Sequence, residues 1–195
     1  MKRIFDIISS LIVLSIGFPF FLIIGLIITF TSKGGMFYKQ VRVGKNNIDF
    51  YLLKFRSMAV GSDKKGQLTV GTNDARITKI GAFIRKFKID EFPQLINVLK
   101  GEMSIIGPRP EVRKYVDLYD KEQQKVLTVK PGLSDYASIE YINENEILGK
   151  AEDPEKTYID EVMPAKLKLN LKYIEDQSFG TDIKLIFGTI FKIFK

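Results

Sequence analysis

From Ile7 to Phe30 the chain reads IISSLIVLSIGFPFFLIIGLIITF, an apolar run without a charged residue. At about 1.5 Å per residue, a helix of this length reaches across the hydrocarbon core of a bilayer. The run is too long for the apolar region of a signal peptide, and TFTSKGG at its end offers no small-x-small cleavage site. A soluble alternative, a helix buried on all sides, is rarely so long. Gly17 and Pro19 stand at the centre, where proline removes a backbone hydrogen bond and crowds the preceding turn. Lys2 and Arg3 precede the run and Lys33, Lys39 and Arg42 follow it, so the positive-inside rule selects no orientation. Asp6 at the start suits a helix N-terminus held near the headgroups. The pattern therefore predicts a membrane anchor in one of two forms. Either the helix spans the bilayer, or it is broken at Pro19 and returns to the side it entered.

After the turn-like SKGGM, Ser32 to Met36, the pattern becomes that of a soluble domain. IDFYLLKFRSM alternates as a strand does, with Lys54 and Arg56 on one face. Gly61 to Asp74 reads as a polar loop. Ile80, Phe83, Ile84 and Phe87 form the stripe of an amphipathic helix, with Arg85 and Lys86 off it. A second helix is predicted from Glu91 to Lys100, with Asp90 as its N-cap, Pro93 in its first turn and Gly101 as its stop. In IIGPRPEV, two prolines stiffen the backbone around Arg109. A further helix is expected near Tyr115 to Leu127, then a turn at KPGLSDYASI leading into a strand or loop. Leu167, Leu171 and Ile174 mark another helix. The tail DIKLIFGTIFKIFK mixes bulky apolar residues with Lys184, Lys192 and Lys195. It suits either a helix in the membrane interface or a terminal helix facing the core. These elements give an α/β chain, mostly α with a few short strands, and no internal repeat.

The 195 residues suffice for one domain with a sound core and an appendage. A net charge of +7 implies an anionic partner: nucleic acid, an acidic membrane surface or a phosphorylated substrate. The chain has no cysteine, which removes disulfides, thiolate metal sites and a cysteine nucleophile. It has no histidine either, which excludes Ser-His-Asp catalysis and H-E-x-x-H metal sites. Acid, base or nucleophilic work must fall to carboxylates, lysine, tyrosine or the substrate.

One constellation then stands out. In KIDEFPQL the adjacent carboxylates Asp90 and Glu91 follow Arg85, Lys86 and Lys88. Asp90 is most economically a helix cap. The pair also suits chemistry on an anion, because a helix start attracts phosphate and carboxylates hold Mg²⁺. Lys54, Arg56, Arg85 and Arg109 would supply the cationic clamp that phosphoryl transfer needs. Spacing alone reaches only a metal–phosphate site on a membrane protein.

The chain resembles the bacterial sugar transferase family, the monotopic polyprenyl-phosphate phosphoglycosyl transferases. The resemblance runs through the apolar N-terminal segment, KFRSM, NDARITKIGAFIRK, DEFPQLINVLKGEMSIIGPRP and KPG at Lys130 to Gly132. It implies transfer of a sugar 1-phosphate from a UDP-sugar to undecaprenyl phosphate with release of UMP, as the first membrane step of surface glycan synthesis. It further implies that Asp90 is the nucleophile of a covalent phosphosugar intermediate and that Glu91 assists with Mg²⁺, the expected cofactor. Lys54, Arg85 and Arg109 would surround the phosphates, and Arg56 matches the same motif. Residues 1–32 would be a re-entrant hairpin broken near Pro19. Residues 33–195 would be a cytoplasmic catalytic domain with interfacial amphipathic helices on the inner membrane. Direct one-step transfer, and an inactive scaffold of the same fold, are the competing readings. No nucleic-acid module is recognisable, and the anchor disfavours that partner.

Two departures from the family pattern matter. Phe18 stands where relatives often carry serine before the proline. After Gly132 the chain reads LSDYASIEYINENEIL, and the glycine–arginine element common in relatives is missing. Glu140, Asn143 and Glu144 are therefore candidates for a different sugar-recognition surface. The resemblance favours an N-acetylated amino or deoxyamino sugar, with galactose or glucose behind it.

Overall fold

Residues Lys2–Thr31 form one helix, α1, and the remainder folds as short helices around two small strand pairs. The computed structural model describes residues 1–62, 68 and 74–193. The polar loop expected over Gly61 to Asp74 therefore lies mostly outside the described residues.

Helix α1 continues through Pro19 as a single helical element. Proline deletes a single backbone bond, and the apolar turns on either side keep theirs. The helix is long and apolar enough to cross a membrane. Its buried residues fall in two groups, Asp6 and Ser10 near the start and Ile24, Gly25 and Ile28 near the end. No residue from Leu11 to Ile23 is buried.

Both groups are seated on the domain. Lys2 donates to Asp182 at 2.6 Å and to the Tyr173 hydroxyl at 2.8 Å. The Arg3 guanidinium donates to the carbonyls of Val98 and Leu99. Asp6 accepts from the Ser104 hydroxyl and the Ile105 amide. At the other end Ile24 and Ile28 pack with Phe55, Ile84 and Ile89, and the Phe21 ring lies 4.8 Å from that of Phe92.

Strands β1 (Phe37–Val43) and β2 (Asp49–Phe55) pair antiparallel, with Val41 opposite Tyr51. Asn46 and Asn47 take positive φ in the intervening turn, a region asparagine tolerates. Helix α2 (Lys79–Lys86) is capped by the Thr78 hydroxyl, which accepts from the Gly81 amide. The predicted stripe of α2 divides. Ile84 is fully buried, whereas Phe83 and Phe87 meet edge-on outside.

Asp90 does not cap the next helix. Lys88 takes the left-handed conformation and Ile89–Glu91 make a 3-10 turn. Helix α3 begins later, at Gln94–Lys100, and stops at Gly101 with φ of 86°. Burial of Ile89 against Ile24, Ile28, Phe55 and Ile84 fixes this turn and displaces the helix start past Pro93. In α3, Asn97 is fully buried. Its side chain accepts from the Leu53 amide at 3.0 Å and donates to the Tyr51 carbonyl at 2.8 Å, fastening α3 to β2.

Strands β3 (Ser104–Ile106) and β4 (Gly132–Ser134) pair in parallel. The helix expected from Tyr115 to Leu127 is instead a short helix, α4 (Arg113–Val116), and a 3-10 turn, Gln123–Thr128. Between them the Asp120 carboxylate accepts from the Gln123 amide at 2.8 Å, a local bond that competes with helix continuation. The stretch after β4 supplies α5 (Tyr136–Glu140), α6 (Glu144–Gly149) and α7 (Pro154–Thr157). Helices α8 (Met163–Glu175) and α9 (Phe179–Ile193) match the predicted C-terminal pair. Leu167 of α8 joins the main core of Val43, Val112, Tyr115, Tyr158 and Met163. Helix α9 turns Leu185 inward while leaving Phe187 and Phe191 exposed.

Candidate functional site

Four segments converge on the Asp90–Glu91 pair. Strand β2 delivers Lys54, the end of α2 delivers Arg85, the 3-10 turn carries the two carboxylates, and the Gly107–Pro110 loop delivers Arg109. That loop is held from behind by glycines. The Gly107 amide donates to Ser134 and the Gly132 amide to Pro108, both at 3.0 Å. A Cβ on Gly132 would lie 2.1 Å from the Gly107 nitrogen, so only glycine permits this approach. Asp135, fully buried, accepts from the Arg109 amide at 3.3 Å and from both the amide and hydroxyl of Ser138 at 2.6 Å.

Arg109 grips Glu91 in a two-pronged bond, with one arm at 3.0 Å, and Lys54 reaches the same carboxylate at 3.4 Å. Burial pushes the Glu91 carboxyl up, but the charges of Arg109 and Lys54 outweigh it and hold the group well below the usual range. Burial also lowers Lys54, with Glu91 opposing the shift. Asp90 differs from its neighbour. It is 4% exposed, and its carboxylate makes no hydrogen bond or ion pair among the described residues. Burial raises its pKa, Lys54 opposes that shift, and the adjacent Glu91 charge adds to it.

A polar cavity of about 260 Å³ opens over this pair. Lys54, Arg56, Arg85 and Arg109, the cations named from the sequence, all line it. Arg42, Arg76 and Lys88 add further cations. Among the described residues seven cationic side chains face two carboxylates, so the cavity suits a polyanion. Arg56 also has a structural task, donating to the carbonyls of Gly34, Gly35 and Phe37. Arg76 pairs with Asp74 at 2.6 Å.

Against Glu91 lies a second, apolar groove of about 540 Å³. Phe5 and Val13 of α1, Leu95 of α3, and Ile186 and Ile190 of α9 wall it. Lys88, Glu91, Arg109 and Asn145 line both spaces, so the two meet at Glu91, next in sequence to Asp90. Of the three candidates for sugar recognition, Glu144 alone reaches the groove, and it is paired with Lys166 at 2.5 Å. Glu140 and Asn143 line neither space; Asn145 stands where they were expected to act. No sequence signal distinguishes Asn145 from its neighbours in INENEI.

Among the described residues no cluster of three or more acidic, histidine or cysteine side chains exists. Asp90, an unpartnered carboxylate, fits Mg²⁺, which commonly takes one or two carboxylates and completes its shell with water and substrate phosphate. Glu91 fits less well, because both of its oxygens already face cations.

The chain belongs to the bacterial sugar transferase family, whose model matches residues 1–195. It is 38% identical, over 97% of its length, to a UDP-N-acetylgalactosamine-undecaprenyl-phosphate N-acetylgalactosaminephosphotransferase of Aeromonas hydrophila, covering 43% of that protein. It is 36% identical, over 99% of its length, to the UDP-glucose:undecaprenyl-phosphate glucose-1-phosphate transferase of Klebsiella pneumoniae, covering 40% of it. An exopolysaccharide production protein of Rhizobium leguminosarum is 36% identical, with 97% of this chain and 93% of that one covered. The chain thus spans about two fifths of the length of the first two relatives.

Proposed function

We propose that this chain transfers a sugar 1-phosphate from a UDP-sugar to undecaprenyl phosphate at a membrane surface. The observation that carries the reading is a cationic cavity lined by the unpaired buried carboxylate Asp90, bordered through the adjacent Glu91 by an apolar groove. A nucleotide diphosphate suits the first space and an isoprenoid chain the second. The two named transferases among the relatives act on substrates of these kinds.

In this reading an Asp90 oxygen attacks the sugar-bearing phosphorus of the donor. A carboxylate–phosphorus bond forms, the bond to the bridging oxygen breaks, and UMP leaves with that oxygen and its electron pair. An oxygen of the lipid phosphate then attacks the same phosphorus, forming the diphosphate and returning Asp90 as a free carboxylate. Neither nucleophile requires a base at neutral pH, which suits a chain without histidine. Lys54 and Arg109 hold Glu91 ionised and fixed, while the remaining cations offset repulsion between anionic partners. Mg²⁺, held by Asp90 and substrate phosphate, would neutralise charge on the phosphate oxygens.

Helix α1 is read as a re-entrant hairpin bent at Pro19. Support comes from its two buried groups, both seated on one domain, with an unburied apolar stretch between them. Phe83, Phe87, Phe187 and Phe191 are also exposed, as suits a domain resting on a membrane surface, and the domain would face the cytoplasm on the inner membrane.

The test uses the purified full chain, Mg²⁺ and a panel of UDP-sugars, first without and then with undecaprenyl phosphate. Stoichiometric UMP release with a sugar-phosphate mass adduct, absent in Asp90→Asn, is expected before acceptor is added. UMP release only with acceptor would replace the covalent route by direct transfer. Silence in both arms across the panel would reject the enzymatic reading.

A further inference from the structure

We infer that Lys88 receives the phosphate of the lipid acceptor at the threshold between the polar cavity and the apolar groove. The inference rests on the transferase reading above and names the residue that places its second substrate.

An acceptor with a long apolar chain and a terminal monophosphate needs a cation where an apolar channel opens into the cavity that holds the reacting carboxylate. Among the described residues four border both spaces: Lys88, Glu91, Arg109 and Asn145. Glu91 repels phosphate. Arg109 has both arms on Glu91, and Asn145 carries no charge. Lys166 also lines the groove, but Glu144 neutralises it. Lys88 remains. Its side chain is exposed and makes no hydrogen bond or ion pair among the described residues.

The backbone supports the same assignment. Lys88 has φ of 55°, the left-handed region that a lysine enters only at an energetic cost. Glycine would sit there without strain. Retaining a long cationic side chain at a position suited to glycine points to a use for the charge. Its neighbour Phe87 lines the groove, so an apolar tail lying against Phe87 brings its phosphate to Lys88. The donor needs no such help, since Lys54, Arg76 and Arg85 line the polar cavity and not the groove.

The experiment compares the full chain with Lys88→Gly and Lys88→Arg. Steady-state KM is measured separately for undecaprenyl phosphate and for the UDP-sugar. Lys88→Gly is expected to raise the acceptor KM tenfold or more while the donor KM stays within twofold. Lys88→Arg should return the acceptor KM to within about threefold of the unmodified chain. A rise confined to the donor KM would assign Lys88 to the nucleotide and overturn the inference. Equal rises in both, no change in either, or failure of arginine to restore the value would also overturn it.

A second arm needs no turnover. Retention of undecaprenyl phosphate, with undecaprenol as the uncharged control, is followed by native mass spectrometry. Preference for the phosphate over the alcohol should be present in the unmodified chain and lost in Lys88→Gly. An inactive chain that keeps this preference through Lys88 would sink the transferase reading and leave the phosphate site standing. Equal preference in both proteins would sink the site alone.

Discussion

Arg109 and Glu91 lock each other through two parallel bonds, and Lys54 closes the same carboxylate from the side of β2. The lock leaves Asp90, one residue away, as the unpaired member of the acidic pair. Two adjacent carboxylates thus have opposite surroundings, one held as a fixed anion and one left open to the cavity.

Removing one side of the lock should cost more than removing both. Arg109→Ala leaves the Glu91 carboxylate buried with Lys54 alone, whereas Arg109→Ala with Glu91→Gln removes the stranded charge as well. Thermal unfolding should show a larger drop for the single variant than for the double. Arg109→Lys should not restore activity, because an ammonium cannot make the paired bond, and turnover should fall by about a hundredfold. Equal unfolding temperatures for the single and double variants would show that the pair is not coupled.

Asp90 should cost the fold stability at neutral pH. Its pKa in the folded chain lies above the ordinary 3.8, so the native state holds the proton more tightly than the unfolded chain does. The stability this contributes is complete below 3.8 and is lost as pH rises through the folded value. Asp90→Asn should therefore unfold at a higher temperature than the unmodified chain at pH 7, by about 2 °C or more, and show no such gain near pH 3. The same variant should lose turnover. Circular dichroism at the two pH values is the measurement, and an unchanged difference between them would refute the assignment. Glu91 has the opposite sign. Its stabilising contribution is present above 4.5 and disappears as pH falls through its lowered folded value.

Gly132→Ala should disable the site without touching it. The added methyl meets the Gly107 backbone, and the loop bearing Arg109 must move. The expected result is a cost of about 1–3 kcal/mol in stability together with a loss of activity. Full activity in a normally stable variant would show that the two backbones separate easily.

Pro19→Leu restores the missing backbone donor and should favour a spanning helix. Cysteines introduced at Lys2 and Lys33 would then be labelled from opposite sides of a vesicle, where the unmodified chain is labelled from one. Labelling of both from one side in the variant would mean that the seats at Asp6 and Ile28, and not the proline, set the topology.

Much of the site could be read from residue order because its parts lie in motifs whose chemistry is local. Asp90, Glu91, Lys54, Arg85 and Arg109 all reach one cavity. What could not be read depends on tertiary packing. The demand to bury Ile89 replaces a capped helix start by a 3-10 turn and so converts Asp90 from a cap into an open carboxylate. Lys88 and Asn145 matter because two spaces meet beside them, and no sequence period encodes that meeting. Asn143 and Asn145 are the same residue type two positions apart; Asn143 is the N-cap residue of α6 and lines neither space, whereas Asn145 within α6 lines both.

Asn97 has a consequence for the chain's behaviour among its own copies. A two-stranded ribbon has an outer edge on each strand, and open edges recruit strands from other molecules. On β2 that edge is occupied, since Asn97 takes the Leu53 amide and the Tyr51 carbonyl much as a third strand would. A helix side chain therefore substitutes for a neighbouring strand and keeps this edge from templating aggregation.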